Sequence, residues 1–257
     1  MSLTNIYVWR EVCRAYFPLE SFLSTIDMAD DAIICFDPMG GDPTEHLAWT
    51  IANRYSQVRP LPFTWPHKSH MGSAIGEASN FALSHVKTDL VCNIQADEVW
   101  YPELTKWVKT HKDTLAYFSI VRFAFLHLRY NAQELQKNAG YQVAEKMARV
   151  KPELRFAPDA WRFETEAETS LTCPESNEYP IVHLHHFFRG GVISQLANNV
   201  WLFGDQNSID EHDRFVTDGM LLADPMWDKR TSPYSLPDLV LPHLGQYSYH
   251  INWDLLG

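Results

Sequence analysis

Two apolar runs in the N-terminal part of the chain each stop abruptly at acids. Ala32-Ile33-Ile34-Cys35-Phe36 ends at Asp37, and Leu90-Val91-Cys92-Asn93-Ile94 ends at Gln95-Ala96-Asp97-Glu98. Each has the length and residue content of a buried strand. After Asp37 comes a Gly/Pro/Asp turn, Met39-Gly40-Gly41-Asp42-Pro43. The next stretch, Glu45 to Tyr55, has apolar residues at 47, 48, 51, 52 and 55, the spacing of a helix face. Asp42 or Thr44 stands where that helix needs a cap. The pattern also predicts a first strand from Asn5 to Trp9, a short strand near 57–63 and a helix from Ala74 to His85. Strands alternating with helices predict an α/β fold built on a mainly parallel sheet.

In open sheets of this kind ligands bind beyond the carboxyl ends of the strands. Asp97 or Glu98 at a strand tip suits a hard cation such as Mg²⁺ or Mn²⁺, which takes oxygen ligands and bridges to phosphates. The alternative is an ordinary strand end with two solvated acids. A second constellation is Ile181-Val182-His183-Leu184-His185-His186. In an extended strand His183 and His185 share a face and His186 takes the other. The pair either completes a metal site or is structural. Lys146 and Arg149 are either phosphate-binding or merely solvated, and Trp65 and Trp161 are either stacking surfaces or core.

Taken together, these segments resemble family-2-type glycosyltransferases of the GT-A fold. The resemblance runs from about residue 6 to about 215 and is specific between 32 and 103. Phe36-Asp37 and Gly40-Gly41-Asp42-Pro43-Thr44 fill the place of the family's base-contacting Asp and its Ser-x-Asp-Gly-Thr-like turn. Glu77-Ala78-Ser79-Asn80-Phe81-Ala82-Leu83 matches its Asn-x-Ala-Leu helix. Gln95-Ala96-Asp97-Glu98 matches the Gln-Ala-Asp-Glu form that one bacterial branch has in place of Asp-x-Asp. The resemblance implies a GT-A (Rossmann-like) sheet flanked by helices, with a small antiparallel part and a C-terminal extension. It implies one domain over 1–257: a nucleotide-sugar-binding half at about 5–110, an acceptor half at about 111–215 and the extension at 216–257.

The implied activity is hexosyltransferase-like: an inverting, metal-assisted transfer from a nucleotide-sugar, most simply a UDP-sugar, to a hydroxyl acceptor. Asp37, Asn80, Gln95 and Asp97 are the implied donor contacts. Asp97, His183 and His185 are the candidate ligands of Mn²⁺ or Mg²⁺, and Glu98 assists the metal or orients Asp97. Asp159, in Ala157-Pro158-Asp159-Ala160-Trp161, is the candidate base or a simple turn residue. Two departures stand out. Gln95 is neutral where the common motif has an acid, and no acidic base motif follows the acceptor region. Both favour an alternative, a nucleotide- or carbohydrate-binding module that kept the fold without catalysis.

Composition narrows the partners. The 257 residues are 46% hydrophobic and 13% aromatic, enough for a sizeable core. A formal charge of -11 disfavours grip on a nucleic-acid backbone, which needs clustered Lys and Arg. The four cysteines form no Cys-x-x-Cys pair, which argues against structural zinc and for a reducing, cytoplasmic setting. No His-Glu-x-x-His element supports a zinc hydrolase. Met39-Gly40-Gly41-Asp42 is too acidic and too short for the phosphate loop of a nucleotidyltransferase. No apolar run reaches the ~18 residues of a membrane span, and no basic-then-apolar leader is visible. An oligomer is compatible with the sequence. The acidic stretch Glu164 to Glu178 reads as an exposed loop.

Overall fold

The structure is a computed structural model that describes residues 1–14, 16–66, 73–129, 134–136, 143–158, 160–166, 169–186, 227–228, 238–239 and 250–256. The chain opens with β1 (Leu3–Trp9), α1 (Pro18–Thr25), β2 (Asp31–Phe36), α2 (Thr44–Arg54) and β3 (Val58–Pro62). It continues with α3 (Ser73–Leu83), β4 (Leu90–Ile94), β5 (Glu98–Val99) and α4 (Pro102–Leu115). Then come β6 (Ile120–Arg129), β7 (Glu134–Gln136), β8 (Val143–Arg149), β9 (Arg155–Phe156) and β10 (Phe163–Glu164). The last described strands are β11 (Ser170–Thr172), β12 (Ile181–His186) and β13 (Trp227–Asp228).

Among the described residues the main sheet runs β3-β2-β1-β4-β8-β6-β7-β13. The neighbours β3, β2, β1 and β4 are all parallel, as the strand-helix alternation predicts. Beyond β4 the sheet turns mixed, because β8 is antiparallel to both β4 and β6. The small antiparallel part is the β9–β10 ribbon.

Period-two alternation assigns the strand residues to two cores. Tyr7, Ile34, Phe36, Cys92 and Ile94 face one side, where α1, α2 and α4 bring Phe22, Leu47, Ile51, Leu104 and Val108. Ile6, Ile33, Cys35 and Val91 face the other, where α3 brings Ala74, Ala78, Ala82 and Leu83. The small residues of α3 let it sit close to the sheet and to the β9 segment. All four cysteines are buried and free.

The segment expected to be one exposed loop from Glu164 to Glu178 is organised instead. It contributes the end of β10 and the whole of β11, which lies parallel to β6. Cys173 and Ser176 are fully buried, and Ser176 Oγ accepts from the Ala124 N–H at 2.9 Å. Neither pairing can be read from local polarity, since both use a strand some 50 residues away.

Candidate functional site

The Gln95–Glu98 turn at the end of β4 is clamped through its backbone. The Gln95 carbonyl accepts from Ser21 Oγ at 2.7 Å and from the Glu98 N–H at 3.2 Å. The Ala96 carbonyl accepts from the Phe17 N–H at 2.8 Å, and the Asp97 carbonyl from the Leu184 N–H at 2.7 Å. α1 and β12 therefore grip the turn from two directions, so its side chains are held on a rigid base.

The acids here are not solvated. Asp97 is 7% exposed and Glu98 is fully buried. Glu98 ion-pairs with Lys146 of β8. Burial pushes its carboxyl above the usual carboxylate range despite the neighbouring ammonium. Lys146 is thus neither solvated nor a surface phosphate ligand: it is 3% exposed and stands 5.4 Å from the Phe125 ring centroid. It also donates to Gln95 Oε1 at 3.3 Å.

β12 brings His183 to Asp97. It pairs antiparallel with β5 and parallel with β6, opposing His183 to Glu98 on one side and to His127 on the other. His183 Nε2 lies 3.3 Å from Asp97 Oδ2, and its Nδ1 lies 2.8 Å from Nδ1 of His127. The alternation expected of His183, His185 and His186 turns on the side chains of His185 and His186, which lie outside the described residues. The register slips between His183 and His186, which oppose His127 and Arg129, so one extra residue is accommodated there. Asp159 also lies outside the described residues.

A second group of residues forms at the tip of β2. Asp37 is 4% exposed; its Oδ1 accepts from the Met39 N–H at 3.0 Å and its Oδ2 lies 3.5 Å from Arg10 Nε. The Arg10 guanidinium in turn stands 5.6 Å from the Trp65 ring centroid. Asp42 accepts from the Cys13 and Thr44 N–H groups at 2.9 and 3.0 Å, fixing the turn that starts α2. Glu11, in the same loop cluster, has φ 49, a left-handed conformation uncommon for this residue type. β1 alone separates β2 from β4 in the sheet, so the two tips stand about 10 Å apart at normal strand spacing.

Asn80, on α3, gives its amide to the backbone of β9: Nδ2 donates to the Phe156 carbonyl at 3.1 Å and Oδ1 accepts from the Phe156 N–H at 2.8 Å. Trp161 is 49% exposed, whereas Trp65 is nearly buried. Sequence reasoning missed Arg10 and His127. Neither belongs to a motif; each is recruited only when β1 and β6 are laid beside their neighbours.

Among the described residues no three His, Cys, Asp or Glu groups converge on one point, so the protein alone builds no complete cage. Asp97 and His183 still offer a carboxylate oxygen and an imidazole nitrogen side by side. That partial set fits Mg²⁺ or Mn²⁺, which draw their other ligands from phosphate and water.

No known family's model matches the chain, and no curated protein does. Similar solved structures are those of S. aureus TarS. The 1–349 fragment is 11% identical with a TM-score of 0.43, covering 84% of this chain and 72% of that one. The same fragment in complex with UDP-GlcNAc is 11% identical with a TM-score of 0.44, over 84% and 73%. The structure of S. aureus TarS not restricted to 1–349 is 12% identical with a TM-score of 0.43, and the match covers 84% of this chain and 44% of that one. Among the described residues no helix is long and apolar enough to cross a membrane.

Proposed function

We propose that this protein transfers a sugar from a nucleotide-diphosphate sugar to a hydroxyl acceptor, with a divalent cation and with inversion at the anomeric carbon. The observation that carries this reading is the clamped turn beyond β4, which holds Asp97 against His183 at the carboxyl end of a parallel sheet. Asp97 and His183 would hold Mn²⁺ or Mg²⁺. When bound, such a cation neutralises the charge that develops on a diphosphate leaving group.

The chain's own groups supply the rest. Asp37 keeps acceptor capacity beyond the Met39 N–H and faces a nucleoside N–H or a ribose hydroxyl. Arg10, lying between Asp37 and Trp65, offers a cation beside that nucleoside place. Gln95 has its Oε1 on Lys146, which leaves the Nε2 end to donate to a ribose or sugar oxygen. Asp159 is the proposed base, on sequence grounds alone.

Calorimetric titration of UDP, then GDP, with and without Mn²⁺, on wild type and Asp97→Ala tests the reading. Micromolar, Mn²⁺-dependent binding that disappears in the variant supports it. Absence of nucleotide binding under every metal condition removes the donor site. A second reading, a binding module without catalysis, is favoured by one observation: the neutral Gln95, tied to Lys146, stands where the common motif has an acid. Nucleotide binding without donor hydrolysis or transfer would select it.

A further inference from the structure

Behind Asp97 and His183 stands His127, on β6, opposite His183 in the parallel register with β12. The two imidazoles meet edge to face, centroids 4.8 Å apart and planes at 84°. Both are nearly sealed, His127 at 9% and His183 at 4% exposure. Phe125 lies against both, its centroid 5.7 Å from that of His127 and 5.8 Å from that of His183. The rings are therefore packed in place, and their Nδ1 atoms are 2.8 Å apart. A contact of that length between two ring nitrogens holds one proton: one Nδ1 donates and the other accepts. The tautomer of each ring is tied to that of the other.

We infer that His127 is the positioning residue of the cation subsite, setting which nitrogen of His183 carries the proton. The inference rests on the reading of Asp97 and His183 as cation ligands. Imidazole binds a cation only through an unprotonated nitrogen. For Nε2 of a neutral His183 to offer its lone pair beside Asp97, the ring proton must sit on Nδ1. There it is donated to Nδ1 of His127, which then carries its own proton on Nε2. Without a cation the row runs the other way. His127 Nδ1–H donates to His183 Nδ1, and the His183 Nε2–H points to Asp97 Oδ2, 3.3 Å away. Occupying the subsite would reverse the hydrogen bond between the rings: the shared proton passes from His127 Nδ1 to His183 Nδ1, the His183 Nε2 proton leaves to water, and His127 Nε2 takes one up from water, so the total charge of the two rings is unchanged. A ring that cannot accept at the position of His127 Nδ1 leaves the His183 Nδ1–H without this partner in a buried setting and weakens the cation's hold. Partners of this kind are worth about 10–100-fold in metal affinity.

The experiment is an EPR titration of Mn²⁺ into the full chain at saturating UDP, on wild type, His127→Ala, His127→Phe and His127→Asn. The Ala and Phe variants are expected to bind Mn²⁺ about 10–100-fold more weakly, while Asn, whose side-chain amide carries an acceptor near the place of Nδ1, stays close to wild type. UDP affinity without metal stays level across the series. The Phe variant keeps the ring volume, so it reads the lost nitrogen even if Ala disturbs folding. Wild-type Mn²⁺ affinity in a folded Phe variant overturns the role of His127. Wild type that takes up no Mn²⁺ overturns the cation reading itself, and the role of His127 falls with it.

Discussion

Lys146 and Glu98 form an ion pair with almost no water around either, their side chains 3% and 0% exposed. The pair joins β8 to the turn beyond β4. Gln95 meets both partners: its backbone N–H donates to Glu98 Oε2 at 3.3 Å, and its side-chain carbonyl accepts from Lys146 at 3.3 Å. The buried charges thus act as the floor under Asp97.

Removing one partner of such a pair strands the other in a dry interior. Lys146→Met is expected to cost about 3–5 kcal/mol of folding stability. Lys146→Met combined with Glu98→Gln removes both charges and should recover most of that loss. Urea denaturation of the two variants beside wild type gives the comparison; equal losses in both would show that the charge of Glu98 is not what the lysine compensates.

The direction of the Glu98 shift predicts a pH dependence. Its carboxyl is raised above the ordinary 4.5, chiefly by burial. A raised acid contributes stability that is fully present below its unfolded value and is lost as pH climbs through its folded value. The contribution of Glu98 should therefore decline from about pH 4.5 upward. Measured from weakly acidic to neutral pH, the advantage of wild type over Glu98→Gln in urea midpoint should shrink. An advantage that grows over this window would mean the carboxyl is lowered.

Asn80 matches both backbone groups of Phe156, so Asn80→Ala leaves a part-buried N–H and C=O without these bonds. The expected cost is about 2–4 kcal/mol, on the scale of ~1–3 kcal/mol for each unsatisfied buried group. If holding β9 is the whole task of Asn80, UDP affinity in the folded variant stays at the wild-type value. Lost affinity at unchanged stability would show that Asn80 also serves the donor site.

Gly76 of α3 donates its N–H to the Pro158 carbonyl at 2.8 Å. A Cβ there would stand 2.3 Å from that oxygen and 2.7 Å from the Ala157 carbonyl. Backbone oxygens cannot yield as a side-chain end can, so Gly76→Ala must push α3 off the segment before β10. A loss of about 1–3 kcal/mol is expected, the usual cost of overpacking, outweighing the helix-propensity gain of roughly 1 kcal/mol. A variant as stable as wild type would show that the two segments separate freely.

The near-continuous apolar runs of 32–36 and 90–94 were enough to place both strands, because a strand buried on two sides is apolar on both faces. The helical spacing after Asp42 likewise located α2, and the parallel order of β3, β2, β1 and β4 follows from helices sitting between strands. The sequence also put Asp37 and Asp97 at strand tips, since each directly follows or nearly follows an apolar run. It could not say what those acids meet. Glu98 and Asp97 are neighbours with the same charge, yet one faces a lysine 48 positions away and the other a histidine 86 positions away. Those partners, and the pairing of His127 with His183, exist only because β8, β6 and β12 come from distant parts of the chain to lie against the β4 tip. Local pattern records which way a side chain points from its own strand; register between strands decides what it touches.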